Sequence, residues 1–160
     1  MLIEFLQDGL FAAIAAIGFA SISNPPRRAY LYCAVIAAAG HSARFLMMQT
    51  PALGLHIVTA STLAALIVGI MAVLLSPLAK TPAETCLFPS LLPMIPGIYA
   101  YKTFGALVMC LYHGTEAEFG HYFFLFASNG MTCLFILAGM VVGATIPIFV
   151  LKRISFQATR

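Results

Sequence analysis

Four ionisable side chains lie inside long apolar stretches of this sequence: Asp8, His41, Arg44 and Lys102. A charge in hydrocarbon is expensive, so such residues face a cavity, a partner or a transport path. His41 and Arg44 are three residues apart and project from roughly one face of a helix. Histidine is the side chain that changes charge nearest neutral pH, which suits it to sensing or relaying a proton. A guanidinium is a planar fork that matches a carboxylate. Asp8 could pair with Arg44 when no other anion is present, because an unpaired cation in low dielectric is costly. Each residue also has a plainer reading. Asp8 suits the start of a helix, Arg44 and Lys102 can reach an interface along their stems, and His41 can hold a structural hydrogen bond.

The second chemical feature is the run Phe88-Pro89-Ser90-Leu91-Leu92-Pro93-Met94-Ile95-Pro96-Gly97-Ile98-Tyr99-Ala100-Tyr101. Three prolines remove three amide donors and crowd the preceding turns, so no uninterrupted helix is expected here. Non-helical backbone at membrane depth is tolerated only where protein or a wet cavity satisfies it. A second half-helix starting near Ile98 would aim free amides and its positive dipole end at the break, an arrangement suited to a carboxylate. Pro93, Pro96, Gly97, Ile98 and Tyr99 are therefore substrate-binding candidates, together with Arg44 and Asn129. A kink that serves packing alone is the simpler alternative.

These residues must be positioned by membrane-spanning helices. The chain has 160 residues, of which 62% are hydrophobic and only 8% charged, and the mean hydropathy is +1.00. Soluble domains carry about 25% charged residues, so a soluble fold is excluded. The expected architecture is all-α, with about five spans: 5–23, 29–48, 53–78, 83–112 broken in the middle, and 119–151. The last is longer than a bilayer needs and must tilt, kink near Pro147 or start in the interface. An N-terminus outside and a C-terminus in the cytoplasm would put Arg27, Arg28, Lys80, Lys152, Arg153 and Arg160 inside, as the positive-inside rule requires. Glu116 and Glu118 would then lie outside, beside an aromatic belt at Phe119, Tyr122, Phe123, Phe124 and Phe126. The start of the chain lacks a basic region and a cleavage site, so no cleaved signal is expected.

Small residues indicate close helix packing: Ala12, Ala16 and Ala20, then Ala34 and Ala38, then Gly139 and Gly143. Packing within this chain and contact with another subunit both fit. Cys33, Cys86, Cys110 and Cys133 are widely spaced and read as small hydrophobes, so no zinc site or redox dithiol is expected. His56, His113 and His121 sit near span ends, where interfacial histidine needs no special role. No phosphate-cradling GxxxxGK[ST] loop or nucleophile–base spacing occurs. Catalysis, a metal, a cofactor and nucleic-acid binding are all disfavoured.

The segments Gly18-Phe19-Ala20, Asn24-Pro25-Pro26-Arg27, Gly40-His41-Ser42-Ala43-Arg44 and Leu92–Tyr101, with Asn129 and Pro147, resemble the threonine/serine exporter family, in particular its small YjjB-type subunit. The resemblance covers roughly residues 5–153. It implies one transmembrane domain over 1–160, located in the inner membrane, and a heteromeric partner, the larger YjjP-type subunit. It also implies a small carboxylate-bearing substrate, threonine, serine or a dicarboxylate such as succinate, moved by secondary transport. Membrane lipid surrounds such a module, and a homo-oligomer within the complex stays open. Lys102 departs from the family pattern, where a neutral residue is expected. The rival reading is a non-transporting subunit that stabilises a larger transport partner.

Overall fold

A computed structural model describes residues 2–50, 53–112 and 115–151. The expected outer-loop positions His113 and Gly114, the span-closing Pro51 and the basic tail Lys152, Arg153 and Arg160 lie outside those residues. The elements are α1 (Leu2–Ser23), α2 (Arg27–Gln49), α3 (Ile57–Ala79), α4 (Ala83–Leu91), a 3-10 turn (Leu92–Met94), α5 (Gly97–Tyr112) and α6 (Glu116–Val150). No strand occurs among the described residues. Helices α1, α2, α3 and α6 are each long and apolar enough to cross a membrane, and α4 with α5 makes a fifth span if the broken pair counts as one. The all-α, multi-pass reading therefore holds. The 35 residues of α6 extend about 50 Å at helical rise, well beyond a hydrocarbon core.

Proline and left-handed residues set the ends. Asn24 turns left-handed at φ 45° directly after α1, a conformation asparagine tolerates, and Pro25-Pro26 leads into α2. Lys80 closes α3 in the same region at φ 54°. His56 caps the start of α3, its Nδ1 accepting from the Val58 amide at 3.4 Å.

The described residues divide into two compact units, one made of those up to Met94 together with those from Gly139 onward, and one made of those from Ile95 to Ala138. In the first, α1 packs on α2, α2 on α3 and α4, and the 3-10 turn on α1 and α4. Its core is made of small residues. Gly9, Ala12, Ala16 and Ala20 form the buried stripe of α1, and α2 buries Cys33, Ala34, Ile36, Ala37, Gly40 and His41. Gly40 lies so close to Val68 of α3 that a Cβ there would collide with its methyl group. Gly139 and Gly143 of α6 lie against Thr62 of α3, and a Cβ at Gly69 would sit 2.6 Å from the Ala144 carbonyl oxygen. These small-residue stripes serve packing inside the chain, where close backbone approach replaces the missing hydrophobic drive.

The second unit comprises α5 and the N-terminal part of α6. Within α5 only Ala106 and Cys110 are buried. Phe119 stacks on Phe123 at 6.0 Å, and Phe123 meets Phe126 at the same distance.

Prolines inside these helices leave carbonyls without their usual amide partners, and side chains take them up. Pro77 cannot bond Val73, whose carbonyl instead accepts the Ser76 hydroxyl at 2.8 Å. Pro89 lies inside α4 and does not end it. The Thr85 carbonyl that it orphans accepts the Cys33 thiol at 3.9 Å. The true break falls at Ile95-Pro96.

Candidate functional site

The break leaves the Met94 carbonyl with no amide one turn ahead, and Met94 is fully buried. A buried orphan carbonyl costs about 1–3 kcal/mol. Arg44, from the C-terminal third of α2, supplies the donor: its Nη1 bonds the Met94 oxygen at 3.2 Å. One turn earlier on α2, His41 is 7% exposed. Its Nδ1 lies 3.1 Å from Asp8 Oδ2 on α1 and 3.4 Å from Arg44 Nη2. Three elements thus bring Asp8, His41, Arg44 and a broken helix end together.

The expected direct pairing of Asp8 with Arg44 is replaced by an arrangement through the imidazole. The physical reason is register. Gly9 of α1 faces Ala38 and Ser42 of α2, with only 2.7 Å from a Cβ at Gly9 to Ser42 Oγ. That contact sets Asp8 level with His41, a turn short of Arg44.

One ring nitrogen cannot satisfy both neighbours. With a proton on Nδ1, the imidazole donates to Asp8 and cannot accept from Arg44. Without that proton, Nδ1 accepts from Arg44 and presents a lone pair to Asp8, which is favourable only when the carboxyl is itself protonated. A single proton therefore decides which bond is made. His41 Nε2 is buried without a hydrogen-bond partner among the described residues. Arg44 uses two of its five N–H groups in these contacts, which leaves others for an anion.

The second half-helix begins at Gly97, one residue earlier than expected, and not all its amides are free. Gly97 donates to the Ile95 carbonyl at 2.8 Å, and Ala100 donates to the Pro96 carbonyl at 3.1 Å. The amides of Ile98 and Tyr99 remain as the first-turn donors. A Cβ at Gly97 would meet nothing within 4 Å. Pro93 lies in the 3-10 turn and Pro96 immediately before α5.

Lys102 and Asn129 belong to the second unit. There they line one cavity of about 580 Å³ with Tyr101, Tyr122 and Ser128. Asn129 donates to the Leu125 carbonyl at 2.7 Å, leaving its side-chain oxygen as an acceptor. Lys102 has no hydrogen bond or ion pair among the described residues, and its position is exposed. Thr59 and Thr62 bond carbonyls of their own stretch of chain, His56 and Val58, so they do not join the cluster around His41. Sequence reading missed the carbonyl of Met94 as a site group, because a backbone acceptor carries no residue-type signal. The prolines around it were the available clue.

Helices long and apolar enough to cross a membrane several times, a helix pair broken at Pro96-Gly97, and a part-buried polar cluster beside that break define a multi-pass membrane protein. Comparison with known proteins places it further. The family described as threonine/serine exporter, ThrE, matches residues 8–150, and the chain belongs to that family. An uncharacterized protein of Haemophilus influenzae is 34% identical over 147 residues, covering 91% of this chain and 47% of the relative. The chain thus spans about half the length of that curated relative. No solved structure matches.

Proposed function

We propose that this chain is the small inner-membrane module of a two-component secondary exporter. It moves a small carboxylate-bearing metabolite outward, with Arg44 holding the carboxylate and the Asp8–His41 pair carrying a proton. The observation that supports this most is the bond from Arg44 to the Met94 carbonyl. A guanidinium already held at the helix break, with donors to spare, can pass from a neutral oxygen to a charged one at little cost in desolvation. Threonine, serine and a dicarboxylate such as succinate share the group that this chemistry recognises. The chain acts as a carrier and not as an enzyme, without a cofactor.

The complementary module is a larger YjjP-type subunit. In support, more than half of the Haemophilus influenzae relative lies outside the segment matched here. Orientation follows loop charge, with the N-terminus outside and Arg27, Arg28 and Lys80 inside. Ser23→Cys should then be labelled only from the cytoplasm and Thr115→Cys from outside; the reverse pattern overturns the orientation.

The test of function is efflux of threonine, serine and succinate from cells expressing this chain, the larger partner, or both. Efflux is expected only with both. At matched membrane abundance, Arg44→Gln and Gly97→Leu should reduce efflux at least ten-fold. If both variants export normally with the partner present, this chain is an assembly subunit and the carrier reading fails.

A further inference from the structure

At the end of the first unit remote from Arg44, the start of α2 borders a cavity of about 440 Å³ lined by Arg27, Arg28, Leu31, Tyr32 and Leu78. We propose that this cavity is a binding site for an anionic phospholipid, which holds the headgroup phosphate between Arg27 and Arg28 and lays an acyl chain over Leu31 and Leu78. The proposal is independent of which metabolite is exported and of the role of Arg44.

Four observations carry it. Neither guanidinium has a hydrogen bond or ion pair among the described residues, so both forks are available for phosphate oxygens. Both cations line the same cavity and are exposed, so one anion there can meet both. The backbone asks for the same charge. Helix α2 starts with no capping side chain and no acidic residue in its first turn, so its unpaired amides and positive dipole end are uncompensated. The carboxylate at this end of the bundle, Glu84 in the first turn of α4, does not line the cavity.

The cavity's other wall says which anion. Leu31 is 68% and Leu78 61% exposed, and they belong to different helices of the bundle. A soluble phosphate or carboxylate gains nothing from exposed leucines, whereas a diacyl lipid covers them while its phosphate meets the arginines. Tyr32 supplies an amphipathic ring at the same level, the usual position of tyrosine at a membrane interface. Basic pockets at span ends select anionic headgroups in this way.

The experiment is native mass spectrometry of the purified, delipidated full chain titrated with phosphatidylglycerol or phosphatidylcholine, with inorganic phosphate as competitor. Phosphatidylglycerol should bind at least ten-fold more tightly than phosphatidylcholine. Arg28→Gln should weaken it about five-fold, and the double variant Arg27→Gln/Arg28→Gln about thirty-fold, from roughly 1 kcal/mol per cation at an anionic surface. Leu78→Ser should weaken phosphatidylglycerol while leaving phosphate competition unchanged, and Lys102→Gln should have no effect. Equal phosphatidylglycerol binding by the wild type and both arginine variants overturns the site. An equal loss in Lys102→Gln overturns it too, by showing a generic charge effect. If millimolar phosphate displaces the lipid completely and Leu78→Ser binds it normally, the occupant is a soluble anion and the lipid assignment is wrong.

Discussion

The unit built on α1–α4 and the unit built on α5 with the first part of α6 solve the membrane problem in opposite ways. The first buries alanine, glycine, serine and a charged cluster, with Ala16, Ala37, Ala64, Ser76 and Ser90 all at 0% exposure. Ser90 answers two carbonyls internally, placing one hydroxyl within 2.9 Å of the Cys33 and Cys86 oxygens, while His41 Nε2 and Ser61 Oγ are buried without a partner among the described residues. The second unit leaves Tyr101, Leu111 and Tyr112 about four-fifths exposed and has almost no core. In lipid such faces are stable as they stand, since acyl chains are as apolar as leucine. The difference teaches that specificity of packing is concentrated in the first unit, while the second presents mostly exposed apolar surface.

The comparison is most exposed to failure at Arg44. Arg44→Gln leaves the buried Met94 carbonyl without its charged donor. The expected loss is about 1–3 kcal/mol of stability, read from reversible unfolding in mixed micelles. A loss below ~1 kcal/mol would show that the break is held by backbone alone. Next comes packing. Gly40→Leu should cost about 1–3 kcal/mol through collision with Val68, whereas Gly105→Leu, with nothing within 4 Å of a Cβ, should stay within ~0.5 kcal/mol. Equal costs would erase the contrast between the units. A subtler probe is His41→Gln, which keeps a polar group but removes the proton toggle. Efflux should lose its pH dependence while Arg44→Gln loses efflux itself, and an unchanged pH profile removes His41 from proton handling. The smallest effect belongs to Lys102→Gln, which should leave stability unchanged because Lys102 makes no contact that α5 depends on.

The helices were legible because their punctuation is chemical. Asn24-Pro25-Pro26 and Lys80-Thr81-Pro82 stop helices whatever surrounds them, and the Pro96-Gly97 break follows from missing donors. How the carbonyl freed by Pro89 is satisfied depends on a neighbour: only when α2 lies alongside does the Cys33 thiol meet it. The start of α3 at Ile57, four residues later than the apolar run suggests, depends on the His56 cap, which competes with continued apolar character. Spacing put His41 and Arg44 on one face of α2. Which of them meets Asp8 could not be read, because a one-turn choice of register rests on the contact between Gly9 and Ser42, and contact between helices leaves no trace in either segment alone.

The carbonyls released by proline have a consequence for inheritance. Val73 depends on Ser76 only while position 77 is proline, and Thr85 depends on Cys33 only while position 89 is proline. Each pair should behave as one trait. Ser76→Ala should be harmful in this chain and nearly neutral beside Pro77→Ala, whose restored amide answers Val73 directly. Descendants of this sequence would therefore shed the serine and the cysteine readily after losing the prolines, and seldom before.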